Sequence, residues 1–229
     1  MTPIGTIRSP FASRFAVPRQ PGLAPSALCQ LHFRSDIPVT DAVRGLETFD
    51  HVWILFLFHA QSPRWKPLVT PPRLGGKKSV GVFASRSPFR PNPIGLSAVK
   101  LVEIRASAQS PHLVLSGGDF VDGTPVIDIK PYLTYTDCIP EASNGWPGKL
   151  PKEVTLPVDW SPASLEQLAT LCGQTDRLRE IQQTINEALA LDPRPGYERG
   201  RQGRSGQTWA ASIAGIDVEW SVGPQAIRV

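Results

Sequence analysis

The sequence HVWILFLF, residues 51–58, contains the longest apolar run of the chain and sets the expectation for its fold. This run is far shorter than the roughly 20 residues that a helix needs to cross a bilayer, so it indicates a buried strand. A closed barrel of short strands leaves no sheet edge exposed. We therefore predict a mainly β protein whose residues 1–138 form a β-barrel domain. Further strand-like runs, separated by proline and glycine, occur at residues 4–8, 28–34, 80–83, 96–104, 112–115 and 125–129.

The pattern changes in the segment 139–152, whose glycines and prolines are typical of a linker. Ser161 followed by Pro162 is a favourable helix start, and two stretches of helical periodicity follow it. Residues 153–229 are therefore expected to form a small α+β domain. Its last part is predicted to be a hairpin of two strands, residues 207–213 and 216–222.

The composition favours a nucleic-acid partner. The 229 residues carry a net charge of +4, with 17 arginines against 7 lysines. Arginine binds phosphates with a planar fork and stacks on bases, which suits nucleic acid better than a membrane surface. Three distant cysteines argue against a disulfide framework or a zinc site and indicate a reducing cytoplasm. No signal peptide and no membrane partner are expected.

Several common cofactor motifs are missing. The segment GGKK, residues 75–78, lacks the first glycine and the hydroxyl residue of a P-loop, and no GxGxxG follows a strand-like run. The four histidines are widely separated, so no metal cofactor is predicted. Any nucleotide-like cofactor must therefore bind in a way unrelated to these motifs.

The most unusual loop is FASRSPFRPNPIGLS, residues 83–97, with two arginines, three prolines and an asparagine. Prolines restrict the backbone, so the polar side chains of such a loop lose little conformational entropy when they bind a ligand. Eight basic residues and no acidic residue lie between Asp50 and Glu103. This positive charge favours a polyanionic ligand, and a solvated basic face is the alternative.

Three further segments accompany this loop: VPRQPG at 17–22, DGTP at 122–125 and DIKPY at 128–132. Each alone has an ordinary explanation, because Asp-Gly is common in turns, and Asp128 and Lys130 can pair on one strand face. In combination they resemble the tRNA N6-threonylcarbamoyladenosine N6-methyltransferases, a family with its own β-barrel fold. The resemblance runs through FAVPRQPG, AVRGL, WILF, PRLGG, RPNPIG, DGTPVIDIKPY and DPRPGY, at residues 15–22, 42–46, 53–56, 72–76, 90–95, 122–132 and 192–197.

This resemblance implies methyl transfer from S-adenosylmethionine to N6 of threonylcarbamoyladenosine, immediately 3′ of the anticodon, in tRNA that reads Thr codons. It also implies a homodimer with the cofactor site near the subunit interface. At Ala60 the family often has an amide, so only a backbone contact is expected there. Carried over by position, the cofactor contacts fall on Pro18, Arg19, Gln20, His59, Ala60, Arg86, Leu96, Asp122, Gly123, Thr124 and Pro125.

The acceptor nitrogen is a poor nucleophile whose proton must leave, so a carboxylate or carbonyl oxygen near N6 is expected. Asp122 and Asp128 are the carboxylates of the matched motifs, and Asn92 is the third candidate for the catalytic site. For the arginines in residues 199–204, a solvated loop is the alternative to a phosphate contact. The anticodon loop of the tRNA is predicted to contact Arg86, Arg90, Asn92, Lys130, Tyr132, Arg194, Arg199 and Arg201.

Two other functions are compatible with the sequence. A non-catalytic RNA-binding barrel would share the basic stripe, but such proteins stack bases on exposed aromatic residues, whereas Trp53, Phe56 and Phe58 lie in a run predicted to be buried. A methyltransferase acting on a small molecule would share the cofactor pocket. Binding of S-adenosylmethionine tests the first alternative, and methyl transfer to tRNA without the threonylcarbamoyl group tests the second.

Overall fold

The computed structural model describes residues 1–61, 64–75, 78–107, 109–148, 155–173, 176–194 and 207–229. Its first eight strands are β1 Gly5–Arg8, β2 Leu28–Phe33, β3 His51–Leu57, β4 Leu68–Val69, β5 Val80–Gly81, β6 Ile94–Arg105, β7 His112–Ser116 and β8 Pro125–Pro131. Six of them close into an antiparallel barrel in the order β1-β2-β7-β6-β3-β8. The predicted N-terminal β-barrel is therefore confirmed.

Strand β3 is central to the barrel wall, because it pairs with β6 on one side and β8 on the other. Its side chains alternate, with Val52, Ile54 and Phe56 buried in the barrel. The expectation that the whole run is buried is wrong for Trp53 and Phe58, which are only partly buried. A strand has two faces, and only one of them points into a barrel.

The barrel interior is filled by aliphatic and aromatic side chains that include Ile7, Leu31, Ile54 and Leu113. Near one end, the Phe56 ring packs edge-on against Phe120 at a centroid distance of 5.0 Å and against Phe58 at 5.1 Å. Gly95 lies directly opposite Phe56 in the β3–β6 ladder, and a Cβ there would lie 2.2 Å from the Phe56 ring. Glycine at this position therefore makes room for the aromatic cluster.

The predicted strand at residues 80–83 does not belong to the barrel. Only Val80–Gly81 is extended, and it pairs with β4 in a separate two-stranded sheet. The chain then forms a short 3₁₀ turn, Val82–Ala84. Two other 3₁₀ turns, Leu46–Thr48 and Pro72–Leu74, and the one-turn helix α1, Val39–Ala42, complete the connections described in this part.

The second part of the chain combines helices with a small sheet, as predicted. The one-turn helices α2 Thr134–Asp137 and α3 Gly145–Gly148 precede this part, whose elements are β9 Val158–Asp159, α4 Pro162–Cys172, α5 Asp176–Ala190, β10 Thr208–Ile213, β11 Ile216–Val222 and β12 Ile227–Arg228. The sheet order is β10-β11-β12-β9. Ser161 caps α4 by accepting a hydrogen bond from the Ser164 N–H, at 3.1 Å. No helix among the described residues has the length and apolar character needed to span a membrane.

The second hydrophobic core uses residues from both parts of the chain. Phe11, Ala16, Ala24 and Ala27, from the β1–β2 connection, pack in one cluster with side chains of α5 and β11. Ser26 lies in this connection. Its hydroxyl and its N–H each donate to a carboxylate oxygen of Glu187 in α5, at 2.8 Å. The division into 1–138, 139–152 and 153–229 stays a prediction. The connection 9–27 belongs to the first of these segments but packs against side chains of the third.

Candidate active site

Six strand ends meet at one end of the barrel, because every neighbouring pair of its strands is antiparallel. The chain leaves β1, β3 and β7 at this end and enters β2, β6 and β8 there. We call this end the barrel mouth and define it by residues 9–27, 58–61, 83–97 and 117–124. Three of the segments singled out in the sequence, 17–22, 83–97 and 122–125, reach the mouth. The fold therefore brings together loops that are distant in the sequence.

Hydrogen bonds tie the mouth loops to one another. The guanidinium of Arg86 donates to Gln20 Oε1 at 2.7 Å, which connects loop 83–97 to loop 17–22. The Gly22 N–H donates to the Gly117 carbonyl at 2.8 Å. These bonds hold loop 17–22 between its two neighbours, and the side chains on it are positioned before any ligand binds.

The DGTP turn is tied to the end of β1. Asp122 Oδ1 accepts from the Ser9 N–H at 2.9 Å, and the Gly123 N–H donates to the Ile7 carbonyl at 2.9 Å. Gly123 has φ +79°, a conformation that favours glycine, and a Cβ there would lie 3.7 Å from His59 Nε2. The His59 ring therefore faces the turn, which joins two sequence segments predicted to contact the cofactor.

The other predicted cofactor residues differ in exposure. Gln20, Ala60 and Asp122 are exposed at the mouth, Pro125 is partly buried, and the Leu96 side chain is 52% exposed beside them. Pro18 and Thr124 are buried, so they shape the loops. The Arg19 guanidinium donates to the carbonyl of Arg194 at 3.3 Å, which directs it toward the second part of the chain. These placements do not test the predicted roles.

Two predicted substrate residues lie on the long mouth loop. The Arg90 guanidinium donates to the carbonyls of Ser85 and Ser87, at 3.0 and 3.2 Å, so it braces its own loop through one nitrogen. Asn92 is exposed, and its backbone carbonyl accepts a hydrogen bond from the Ile94 N–H at 2.7 Å. Both residues remain positioned beside the mouth.

Asp128, Lys130 and Tyr132 are not brought to the mouth of their own chain. Asp128 Oδ2 and Lys130 Nζ are 3.2 Å apart on the outside of the barrel, with side chains 46% and 65% exposed. Tyr132 contacts the rings of His51 and Trp53 at the opposite barrel end. Strand β8 spans seven residues at about 3.3 Å each, which separates Tyr132 from the mouth by roughly 20 Å.

The three arginines predicted from the second part have different outcomes. Arg194 is only 6% exposed, and its Nε and Nη2 each donate to a carboxylate oxygen of Asp192 at 2.8 Å. This buried pair gives the Arg194 guanidinium a bracing position instead of the accessible one expected for a substrate contact. Arg199 and Arg201 lie outside the described residues, so their predicted roles stay predictions.

The structure adds one carboxyl group that the sequence interpretation misses. Asp119 lies beneath the mouth, where the Ser97 hydroxyl donates to Asp119 Oδ1 at 2.6 Å. Burial raises the pKa of Asp119, while the nearby Arg86 charge acts in the opposite direction. Burial also raises the pKa of the Cys29 thiol to about 12, which makes that cysteine an unreactive core residue. The sequence GGDF, residues 117–120, resembles an ordinary turn, so it does not indicate that its aspartate belongs to a functional site.

The Asp119 environment predicts a pH-dependent stability difference. The folded chain holds the Asp119 proton more tightly than the unfolded chain, whose carboxyl titrates near 3.8. The stability from this group is therefore full below about pH 3.8 and is lost as the pH rises through the raised pKa. Asp119→Asn removes the titration and keeps an acceptor for Ser97. We expect the urea midpoint of the variant to rise relative to wild type between about pH 4 and pH 8.

Glu103 provides a control of opposite sign. Its hydrogen bond from Arg105 holds the pKa of Glu103 below the ordinary value of 4.5. The stability from this ionised carboxylate is therefore present above about pH 4.5 and is lost as the pH falls through the lowered pKa. Glu103→Gln should lose stability relative to wild type as the pH rises. A constant difference between Asp119→Asn and wild type over the whole range would contradict the burial of Asp119.

No group of three or more histidine, cysteine or acidic side chains that could hold a metal ion occurs within the described ranges. The mouth instead combines apolar surface from the partly buried Phe58 with the guanidinium of Arg86 and the carboxylate of Asp122. Such a mixture of apolar contact and a few fixed polar groups is typical of a small-molecule site.

Comparison with known protein families gives matches over both parts of the chain. A family model described as the tRNA-methyltransferase O N-terminal domain matches residues 6–138. A second model, the TrmO C-terminal domain, matches residues 153–229. Together the two models account for most of the sequence.

Individual proteins show the same similarity. The chain is 46% identical over 220 residues to the tRNA (adenine(37)-N6)-methyltransferase of Escherichia coli, which covers 96% of this chain and 91% of that protein. It is 44% identical to a putative S-adenosylmethionine-dependent methyltransferase, RcsF, of Pseudomonas aeruginosa, over 100% and 95% of the two chains. The crystal structure of TrmO from Pseudomonas aeruginosa superposes with a TM-score of 0.78 at 38% identity, over 100% of this chain and 95% of that one.

Proposed function

Because this chain belongs to the tRNA-methyltransferase O family, we propose that it transfers a methyl group from S-adenosylmethionine to N6 of adenosine 37 in tRNA. We further propose that the substrate nucleoside is threonylcarbamoyladenosine, in tRNA that reads Thr codons. The observation that carries the proposal is the convergence of loops 17–22, 83–97 and 117–124 at one barrel mouth, linked by the Arg86–Gln20 and Gly22–Gly117 hydrogen bonds.

The residues at the mouth fit S-adenosylmethionine. The exposed Asp122 carboxylate at the mouth is an acceptor for a hydroxyl or amino group, and Leu96, near the start of β6, offers apolar surface for the adenosyl group on the outer face of the wall. Gly123 lacks a side chain where one would project toward His59, so a ligand can approach the backbone closely. The cofactor supplies an electrophilic methyl group on a sulfonium ion. A site that surrounds the sulfonium with apolar groups favours loss of this charge in the transition state.

The mouth also supplies groups that can orient the substrate. Most of the rate acceleration is expected from positioning, because in-line transfer requires the reacting atoms to be held about 3–3.5 Å apart. The Arg86 guanidinium is anchored on Gln20 and is suited to bind the threonyl carboxylate or a phosphate of the anticodon loop. Arg90 and Asn92 stand on the same stiff loop.

As the alternative to holding a hydroxyl or amino group of the cofactor, Asp122 is the best-placed candidate to accept the N6 proton. Its carboxylate is exposed at the mouth, and one oxygen is fixed by the Ser9 N–H. Asp119 is also near the mouth but lies buried beneath Ser97. Asp128 points outward from the barrel wall, so it takes part in the reaction only if a second copy of the chain brings this wall to the mouth.

We also propose a homodimer. Asp128, Lys130 and Tyr132 lie away from the mouth of their own barrel, so they reach the mouth of a second chain only across an interface between the two. Stiff loops at such an interface lose little entropy on association. Basic residues between Asp50 and Glu103, together with the arginines in residues 199–204, would attract the tRNA backbone. We also propose a cytoplasmic location, because tRNA is found there.

The function is tested by incubating the full chain with S-adenosylmethionine and tRNA, followed by mass spectrometry of the released nucleosides. We expect a gain of one methyl group on threonylcarbamoyladenosine in Thr-codon tRNA and none on tRNA prepared without the threonylcarbamoyl group. Methylation of both tRNAs, or of a different nucleoside, would contradict the proposed substrate. Tight cofactor binding without transfer to any tRNA would favour a small-molecule substrate, and absence of cofactor binding would favour a non-catalytic RNA-binding barrel.

A further inference from the structure

A pocket of about 230 Å³ adjoins the barrel mouth and is not accounted for by the residues expected to bind the cofactor. Its walls come from two chain segments, the exit of β3 and the proline-rich loop before β6. The two segments are joined by backbone hydrogen bonds, from the Phe58 N–H to the Pro93 carbonyl at 2.8 Å and from the Lys66 N–H to the Phe89 carbonyl at 3.2 Å. The lining residues are Phe58, Gln61, Trp65, Pro88, Phe89, Arg90, Pro91 and Pro93.

The lining suits a planar, partly polar ring. Three aromatic side chains and three prolines form its faces, while Gln61 and Arg90 provide polar groups. Trp65 is 49% exposed, so its ring is accessible to a ligand. A cavity of about 150 Å³ is enough to bind benzene, so this pocket has room for a larger heterocycle.

The positive charge around the pocket indicates that its ligand is a base of a nucleic acid. Arg64 and Lys66 flank Trp65 in the sequence and are exposed, and Arg90 lies in the wall. No acidic residue occurs in the chain between Asp50 and Glu103. RNA-binding sites commonly combine aromatic faces for unstacked bases with basic groups for the neighbouring phosphates. The predicted cofactor contacts on Gln20, Asp122 and Gly123 belong to other loops. Four more, His59, Ala60, Arg86 and Leu96, lie in the same two segments but do not line the pocket.

We propose that this pocket receives one unstacked nucleobase of the anticodon loop, with Trp65 as a stacking surface. The inference rests on the proposed tRNA substrate and adds to it a second contact, separate from the cofactor. Gln61 connects the two regions, because its Oε1 accepts from the Arg14 guanidinium at 2.8 Å and its side chain lines the pocket. A base held here fixes the orientation of the loop relative to the mouth.

The test compares the affinity of full-length variants for an anticodon stem-loop RNA that carries threonylcarbamoyladenosine, measured by fluorescence anisotropy. Trp65→Ala is expected to weaken RNA binding about 5- to 150-fold, the range observed when a base loses an aromatic partner. Trp65→Phe keeps a stacking ring and should bind within about threefold of wild type. The matched control is Val102→Ala, which removes an apolar side chain that is also 49% exposed, in the second half of β6, and should leave affinity unchanged.

A cycle between protein and RNA variants identifies the base and is insensitive to a general weakening of the fold. Wild type and Trp65→Ala are each measured with RNAs that carry one abasic position in the loop. At one loop position, removing the base should weaken binding to wild type as much as Trp65→Ala weakens binding to the intact RNA. At that position, Trp65→Ala should bind the abasic RNA no more weakly than it binds the intact RNA. If Trp65→Ala has a lowered melting temperature, Trp65→Leu keeps the apolar volume and serves in its place.

Independent, multiplicative losses at every loop position would overturn the proposal, as would unchanged RNA affinity of Trp65→Ala. Calorimetry with S-adenosylmethionine gives the second readout, for which we expect no change. A weakened cofactor with unchanged RNA affinity would assign the pocket to the adenine of the cofactor and would also overturn the proposal. None of these measurements depends on methyl transfer, so a wild-type chain that binds RNA through Trp65 without methylating it would refute the proposed function alone.

Discussion

Replacement of Arg86 by alanine is expected to lower kcat/KM for tRNA methylation about 10- to 100-fold. Arg86 is the side chain that joins two mouth loops, through its 2.7 Å hydrogen bond to Gln20, and it lies close enough to Asp119 to influence the pKa of that buried carboxyl. Loss of one charged hydrogen bond corresponds to about 1.5–3 kcal/mol, which is the origin of the expected factor. Steady-state kinetics with radiolabelled S-adenosylmethionine measure the effect.

Three further variants separate the causes. Arg86→Lys keeps the charge but loses the planar fork, so an intermediate loss is expected if the guanidinium binds a carboxylate or phosphate. Gln20→Ala removes the link between the loops and the Gln20 side chain but keeps the Arg86 guanidinium. Arg105→Ala, which breaks an exposed pair with Glu103 at the far end of β6, should retain full activity. Activity of Arg86→Ala within twofold of wild type would contradict a role for this loop in the site.

Gly95→Ala is expected to destabilise the folded chain by about 2–3 kcal/mol, the upper part of the range for overpacked cores. A Cβ at Gly95 would lie 2.2 Å from the Phe56 ring, which is 3% exposed and enclosed by Phe58 and Phe120. The ring has no space to move without displacing this cluster. For a chain of this size, calorimetry should record a melting temperature lower by roughly 4–12 °C.

Gly81→Ala is the matched control for this change. Gly81 has φ −59°, which alanine adopts readily, and a Cβ there would project into open space among the described residues. Its melting temperature should stay within about 1 °C of wild type. Equal melting temperatures for the two variants would mean that Phe56 is not packed against β6 as described.

The parts of the fold that depend on local signals are predictable from sequence. The apolar strand β3, the Ser161 cap of α4 and the turn between β10 and β11 each depend on neighbouring residues, and each is present in the structure. The predicted burial of Phe56 is confirmed. Residues 80–83 differ because a strand of suitable composition joins a barrel only when a partner edge is available, and six other strands close the wall.

The candidate site is less predictable because it depends on contacts between distant residues. The surroundings of Asp119 at the barrel end, including the Ser97 hydroxyl, come from distant parts of the chain. No local sequence pattern predicts them. The Asp128–Lys130 pair is recognisable in the sequence as an alternative to a catalytic role, but its distance from the mouth follows only from the length of β8. Likewise, packing of Phe11 against α5 joins residues more than 150 positions apart.

Amide hydrogen exchange of the full chain, with and without S-adenosylmethionine, shows whether the barrel mouth binds the cofactor. If the barrel mouth is the cofactor site, exchange should slow in residues 17–22, 85–97 and 117–124, and it should not change in residues 101–105 at the opposite end of β6. Protection confined to the outer wall or to the α4–β11 region, with the mouth loops unaffected, would contradict the account.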